Sequence, residues 1–167
     1  MPKDYDCGIN DAGIAQCINL KSLSASNNSG ITNVNHLAKL EILGTGGYCG
    51  VNDAGIVNCN NLKSLYTSHY QKITNVNHLE KLEILNANYY CGIVNCIILK
   101  ALSAIYNSEI TNVNHLEKLE KLNAGNKCGI NDAGMVQCIN LKSLNASCNP
   151  KIKNVNHLVN LEILWNK

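Results

Sequence analysis

The chain has 167 residues, 46% of them hydrophobic and 16% charged, with a formal net charge of +2 and no arginine. That apolar share fills one continuous core, while the weak charge and missing arginine exclude the electrostatic footprint of a nucleic-acid binder. No run approaches the ~18 apolar residues of a membrane span, and Met1-Pro-Lys-Asp-Tyr-Asp6 does not read as a secretion signal.

Residues 1–19 read as the end of one repeat unit, and from Leu20 onward the pattern Leu-x-x-Leu recurs. It starts at Leu20, Leu40, Leu62, Leu82, Leu99, Leu119, Leu141 and Leu161, with steps of 20, 22, 20, 17, 20, 22 and 20. Short and long units therefore alternate. The pentapeptide Asn-Val-Asn-His-Leu marks the short ones, at 33–37, 75–79, 112–116 and 154–158. A chain repeating at such a period is expected to be a solenoid, because each unit needs neighbours to bury its apolar face.

Counting places from the first leucine of each unit, alternation in Ser22-Leu23-Ser24-Ala25-Ser26 predicts a short strand with Leu23 and Ala25 on one face. A further turn must come before the next strand, so neighbouring strands run parallel. Asn28, Asn107 and Asn149 stand at place 9, where an amide suits the turn leaving the strand. Ile31, Val34, Leu37 and their equivalents then turn inward from the convex side. In the long units, the run beginning Asp-Ala-Gly is expected to form one helical turn capped by its aspartate. Small residues at place 6 (Ala25, Thr45, Thr67, Ala87, Ala104, Ala124 and Ala146) predict a thin coil. The 82–98 unit lacks the Asn-Asp-Ala-Gly segment found at 10–13, 52–55 and 131–134, which is expected to dent the convex surface.

The short unit Leu141-Lys-Ser-Leu144-Asn-Ala146-Ser-Cys-Asn149-Pro-Lys-Ile152-Lys-Asn-Val155-Asn-His-Leu158 resembles the leucine-rich repeat of internalins and protein-phosphatase regulators. The long unit's Ile130-Asn-Asp132-Ala-Gly134-Met135 is similar to the cysteine-containing leucine-rich repeats of F-box proteins. The resemblance covers the chain from about Cys7 to Leu164 and departs from the family at place 6, where leucine is usual. It implies an α/β leucine-rich-repeat solenoid, a right-handed superhelix. Its concave parallel sheet has about eight short strands, and its convex side has turns and short helical segments. The expectation is a single domain spanning 1–167, a partial unit at 1–19 followed by eight Leu-x-x-Leu units from 20 to 167.

Residues that suggest chemistry have plainer readings. His36, His78, His115 and His157 recur two coils apart, ~10 Å at strand spacing, and zinc needs donors ~2.1 Å from one ion; no metal site is expected. Cysteines fall into two columns, Cys7, Cys49, Cys91 and Cys128, and Cys17, Cys59, Cys96 and Cys138. Column mates lie beyond the ~7 Å limit for a disulfide, so they read as buried small hydrophobes of a reducing, cytoplasmic compartment. Pairing across columns within one coil stays open from sequence. Cys148 and His69 sit ~19 Å apart, out of reach for a nucleophile and its base. Gly44-Thr-Gly-Gly47 lacks the lysine and helix of a phosphate loop. No cofactor and no catalytic residue are expected.

What remains is surface. Places 3, 5, 7 and 8 are predicted to line the concave sheet, where Tyr66, His69, Asn86, Asn88, Tyr89, Ser103, Ile105, Tyr106 and Asn123 form a candidate protein-binding centre. Tyrosines flanked by serine and asparagine suit adaptable protein recognition, though exposed tyrosines also stabilise a sheet by cross-strand pairing. The expected function is that of a non-catalytic binding module or scaffold for a protein partner, acting with neither nucleic acid nor membrane. Two alternatives stand beside it. With no polar capping repeat, the open end strands predict a homo-oligomer stacked end to end. The F-box likeness suggests a substrate receptor of a ubiquitin ligase; the residues before Cys7 leave no room for an F-box, so that role requires a partner or a longer parent. The wealth of Asn, Ile and Lys is the bias of an AT-rich genome, as in protists and giant viruses.

Overall fold

The computed structural model describes residues 8–67, 72–89 and 96–167. Eight strands stack in chain order into one parallel sheet: β1 (Ser22–Ser24), β2 (Ile42–Gly44), β3 (Ser64–Thr67), β4 (Ile84–Ala87), β5 (Ala101–Ser103), β6 (Lys121–Asn123), β7 (Ser143–Asn145) and β8 (Ile163–Trp165). The second leucine of every unit sets the register, pairing Leu23, Leu43, Leu65, Leu85, Leu102, Leu122, Leu144 and Leu164 in one column. The 17-residue step leaves that column intact, with Leu85 opposite Leu102. The segment 91–95, where the dent is expected, lies outside the described residues. Cys96 is already back in register, its thiol reaching Val76 O at 3.7 Å as Cys59 reaches Val34 O at 3.8 Å.

Place 6 is buried throughout, from Ala25 to Ala146. Thr67 satisfies its hydroxyl there on Asn86 O. Thr45 does not: its Oγ1 is buried with no partner. Replacing that hydroxyl with a methyl of the same shape removes an unmet desolvation cost, so Thr45→Val is expected to raise stability by about 1–2 kcal/mol. Urea unfolding checks this; a lower midpoint would mean that the hydroxyl is satisfied in solution.

Just past each strand the backbone turns through the left-handed region at place 8: Asn27 (φ 57), Gly47 (φ 64), Tyr89 (φ 79), Tyr106 (φ 57), Asn126 (φ 61) and Cys148 (φ 57). Asparagine and glycine tolerate this conformation; tyrosine and cysteine adopt it at a cost. The place 9 asparagines then point inward. Asn107 donates to Ala87 O at 2.6 Å and accepts from the N–H groups of Glu109 and Ile110 at 3.1 and 3.2 Å. Asn149 donates to Ala124 O and Ile130 O at 2.7 and 3.1 Å, and Asn28 to Ile9 O at 2.8 Å. In long units the inward position falls one place later: Tyr48 and Lys127 at place 9 face solvent, and the buried Cys49 and Cys128 at place 10 take it. The Cys49 sulfur accepts from Val51 N at 3.4 Å, a weaker version of the amide's bond. Asparagine and cysteine thus share one ladder.

The convex side carries an α-helical turn at Asp11–Ile14 and 3-10 turns at Asp53–Ile56 and Ala133–Met135. The expected aspartate cap is corrected here. Asn10, Asn52 and Asn131 do the capping, accepting from Gly13, Gly55 and Gly134 N–H at 3.0, 3.0 and 2.9 Å. Asn10 has the extended backbone a cap needs, at φ −130 and ψ −174. The aspartate, one residue further into the turn, is aimed along the stack instead. Asp53 Oδ1 accepts from Thr74 N and Asn75 N at 2.8 and 3.1 Å, and Asp11 and Asp132 do the same for their next coils. The repeated histidines also join coils: Nε2 of His36, His78 and His157 bonds to Ile14 O, Ile56 O and Met135 O at 3.1, 3.2 and 3.3 Å.

The seven described cysteines are free thiols, five of them buried. Cys17, expected to be buried with its column, is exposed in the first described coil, as is Cys148, and Cys7 and Cys91 lie outside the described residues. Burial pushes the thiols of Cys59, Cys96 and Cys138 up from an ordinary 9.0 to about 11. An acid with a raised folded pKa stabilises the fold fully below its unfolded pKa, and that stabilisation is lost as pH rises through the folded value. Stability is therefore expected to decline between pH 9 and about 11. Thermal unfolding at stepped pH tests this, and a flat profile across that window would contradict buried thiols.

Candidate functional site on the concave face

Sheet register aligns the outward side chains of place 5 as Ser24, Gly44, Tyr66, Asn86, Ser103, Asn123, Asn145 and Trp165. Of the predicted residues, Tyr66, Asn86, Ser103 and Asn123 thus share one row across β3 to β6. The asparagines in that row are pre-oriented. Each side-chain oxygen accepts the N–H two residues on: Asn86 from Asn88 at 3.2 Å, Asn123 from Gly125 at 3.2 Å and Asn145 from Ser147 at 2.9 Å. Among the described residues their Nδ2 groups have no hydrogen-bond acceptor.

Tyr66 is 46% exposed and has Gly44 and Asn86 as strand neighbours, so the β2 side of its ring meets no side chain at that place. Tyr89 and Tyr106 sit elsewhere than Tyr66. They occupy the left-handed turns leaving β4 and β5, where their rings stack with centroids 5.5 Å apart and planes 19° apart. Asn88 holds this rim together. Its Oδ1 accepts from Ser103 Oγ at 2.8 Å and from Ile105 N at 2.9 Å, while Tyr89 N donates to Ile105 O at 3.1 Å. Ile105 is half-buried and acts here through its backbone. His69 lies outside the described residues.

The predicted residues therefore form two adjoining parts, a row on the strands and a stacked aromatic pair on the rim. Sequence reasoning left Trp165 out of the site. It is 52% exposed at the end of the place 5 row and borders a shallow concavity of about 320 Å³ with Lys121, Asn123, Ser143, Asn145 and Ser147. The signal was present in the repeat, since Trp165 follows Leu164 as Tyr66 follows Leu65. Lys121 carries charge on the strand face itself, and along the place 2 edge Lys63–Glu41, Lys100–Glu83 and Lys142–Glu120 pair at 2.9, 3.0 and 3.2 Å. Among the described residues no group of three or more His, Cys, Asp or Glu is placed to hold a metal. No helix there is long and apolar enough to cross a membrane. The face offers amides, hydroxyls and phenols, groups suited to recognition.

No family model and no curated protein matches the sequence. Solved structures match its fold. Internalin C2 of Listeria monocytogenes is 22% identical with a TM-score of 0.65, over 93% of this chain and 74% of that one. A leucine-rich-repeat protein of Leptospira interrogans is 20% identical with a TM-score of 0.61, over 90% of this chain and 50% of that one. The functional domain of internalin J of L. monocytogenes, described as including a cysteine ladder, is 16% identical at a TM-score of 0.55. That alignment covers 89% of this chain and 42% of that one.

Proposed function

We propose that this chain, a leucine-rich-repeat solenoid by fold, is a non-catalytic module that binds a protein partner through its concave face. The observation that carries the reading is the stacked Tyr89–Tyr106 pair, held in left-handed backbone beside an uncharged row of oriented amides. Two bulky residues sit where the same turn elsewhere uses asparagine, glycine or cysteine, and strain kept at a stacked aromatic pair whose Tyr106 is exposed points to a use for the rings. Asn86, Asn88, Ser103, Ile105 and Asn123 supply or brace the polar surround, and His69 belongs to the same proposed centre. A reducing cellular compartment fits the free buried thiols.

The test compares wild type with a Tyr66→Ser, Tyr89→Asn, Tyr106→Asn variant. Each replacement is a residue that the repeat already uses at that place, so the fold should survive. Partners captured from lysate are identified by mass spectrometry and re-measured with purified components. A partner whose affinity drops at least tenfold (about 1.4 kcal/mol) in the variant supports the reading; equal affinity for both proteins removes the site.

A second reading, self-association through the ends, is favoured by the terminal strand β8, whose Ile163, Leu164 and Trp165 are all exposed.

A further inference from the structure

The two ends of the solenoid differ from each other and fit together. On β8, Leu164 is 45% exposed, whereas Leu43 and Leu144 of the same column stand at 0%. At the other end Ile9 is 55% exposed, whereas its repeat equivalents Val51 and Ile130 stand at 2% and 0%. Residues 161–167 align with 40–46, and residues 8–19 with 50–61, the strand half and the convex half of one long unit. We infer that this chain associates head to tail, the N-terminal coil of one copy seating on the C-terminal coil of another in the register of the repeat. The proposal rests on the self-association reading and supplies its contact.

Charge, backbone and side-chain amides specify the same register. Place 2 alternates in sign along the whole sheet: Lys21, Glu41, Lys63, Glu83, Lys100, Glu120, Lys142 and Glu162. Three ion pairs use the six inner charges, so the ladder opens on Lys21 and closes on Glu162. A second copy's Lys21 placed beside Glu162 continues the alternation. The main chain follows suit: Glu41 O accepts from Lys63 N and Ser64 N at 2.8 and 3.0 Å, and Glu120 O from Lys142 N and Ser143 N at 2.9 and 3.0 Å. In register, Glu162 O meets Lys21 N and Ser22 N of the incoming copy. On the convex side Asn35 clasps the next coil, donating to Ala54 O at 2.7 Å and accepting from Asn58 N at 2.8 Å. Asn114 repeats this with Ala133 O and Gln137 N, both at 2.9 Å. Asn156 is the exposed equivalent at the end, and it presents the same amide to Ala12 and Gln16 of the incoming copy. Such a heterologous contact leaves a free end on each pair, so copies add beyond two, into an open series or, where the rotation per copy closes, a ring.

One glycine separates this contact from the fold. A Cβ on Gly55 or Gly134 would lie 2.2 or 2.0 Å from the carbonyl oxygen of Thr32 or Thr111 in the preceding coil. Among the described residues Gly13 has no such neighbour; its nearest atom there is Ile9 Cγ2 at 3.4 Å. In the stack, Lys153 O of the second copy occupies that place. Gly13→Ala should therefore fold like wild type and fail to associate.

Sedimentation across a wide concentration range tests this on the 167-residue chain. The expected wild-type mass rises past that of two copies, and Gly13→Ala stays monomeric. Lys21→Glu and Glu162→Lys each weaken association, and the two combined recover it. A wild type that remains monomeric overturns both the contact and the self-association reading. A wild type that associates while Gly13→Ala associates equally overturns this register alone. A mass that stops at two copies overturns the head-to-tail geometry.

Discussion

Asn107→Ala is expected to lower the unfolding free energy by about 3–5 kcal/mol, among the largest effects of any single polar substitution in this chain. The side chain is fully buried in the middle of the stack, and it serves three backbone groups at once: Ala87 O, Glu109 N and Ile110 N. Truncation leaves Ala87 O and Ile110 N in a low-dielectric interior, at roughly 1–3 kcal/mol apiece when unmet, while the Glu109 N–H is part-buried and costs less. Asn28→Ala should cost less, because its donor bond to Ile9 O is only part-buried at the first coil. Asn107→Asp should be as damaging as alanine, since it keeps the acceptor but loses the donor to Ala87 O and buries a charge. Urea unfolding followed by circular dichroism measures the series. A midpoint for Asn107→Ala within error of wild type would mean that the ladder contributes nothing beyond filling space.

That ladder also shows what a repeat sequence reveals and what it hides. The leucine column and the parallel strands were legible because one residue, repeated at a fixed interval, must point the same way in every coil. The register even survives the 17-residue step, since Leu85 and Leu102 have no other apolar row to join. Cysteine in the long units was legible as buried but not as a ladder member. Its place depends on a turn that sends place 9 (Tyr48, Lys127) outward and place 10 inward, a backbone effect with no side-chain signature. The assignment of the helical cap went to Asp11 when Asn10 does the work. Both residue types cap well, and only backbone geometry tells which of two neighbours stands at the boundary.

For the candidate residues the sequence suggested a common face and not its shape. Counting places put Tyr66, Tyr89 and Tyr106 on one face, and the structure does bring two of them into contact. The count treated place 8 as strand, whereas it is the left-handed turn beyond the strand. Tyr89 and Tyr106 therefore form a rim beside the row that carries Tyr66. Positive φ at tyrosine cannot be read from propensity, because propensity argues against it. The sign was available only in comparison, from Asn27, Gly47 and Asn126 standing at the same place in other units.

Gly134→Ala should destabilise the chain by about 2–3 kcal/mol, toward the upper end for overpacking, while the same change at Gly13 leaves the fold intact. The three Asp-Ala-Gly turns have the same local sequence, and alanine ordinarily stabilises a helical turn over glycine by about 0.5–1 kcal/mol. Local propensity thus predicts a gain at all three. Packing reverses the sign at two. A Cβ on Gly134 would sit 2.0 Å from Thr111 O, a backbone atom that cannot rotate away, at the point where Val113 N donates to Gly134 O at 2.7 Å. Gly55 is in the same position against Thr32 O at 2.2 Å, with Val34 N donating to its carbonyl at 2.9 Å. Making room means parting the two coils and stretching the bond that joins them. At Gly13 no backbone oxygen among the described residues opposes the methyl group, the nearest atom being Ile9 Cγ2 at 3.4 Å. Unfolding of the three alanine variants, done at concentrations where the protein is monomeric, separates the effects. If Gly13→Ala loses as much stability as Gly134→Ala, the turn itself needs glycine, and coil-to-coil approach is not what holds it there.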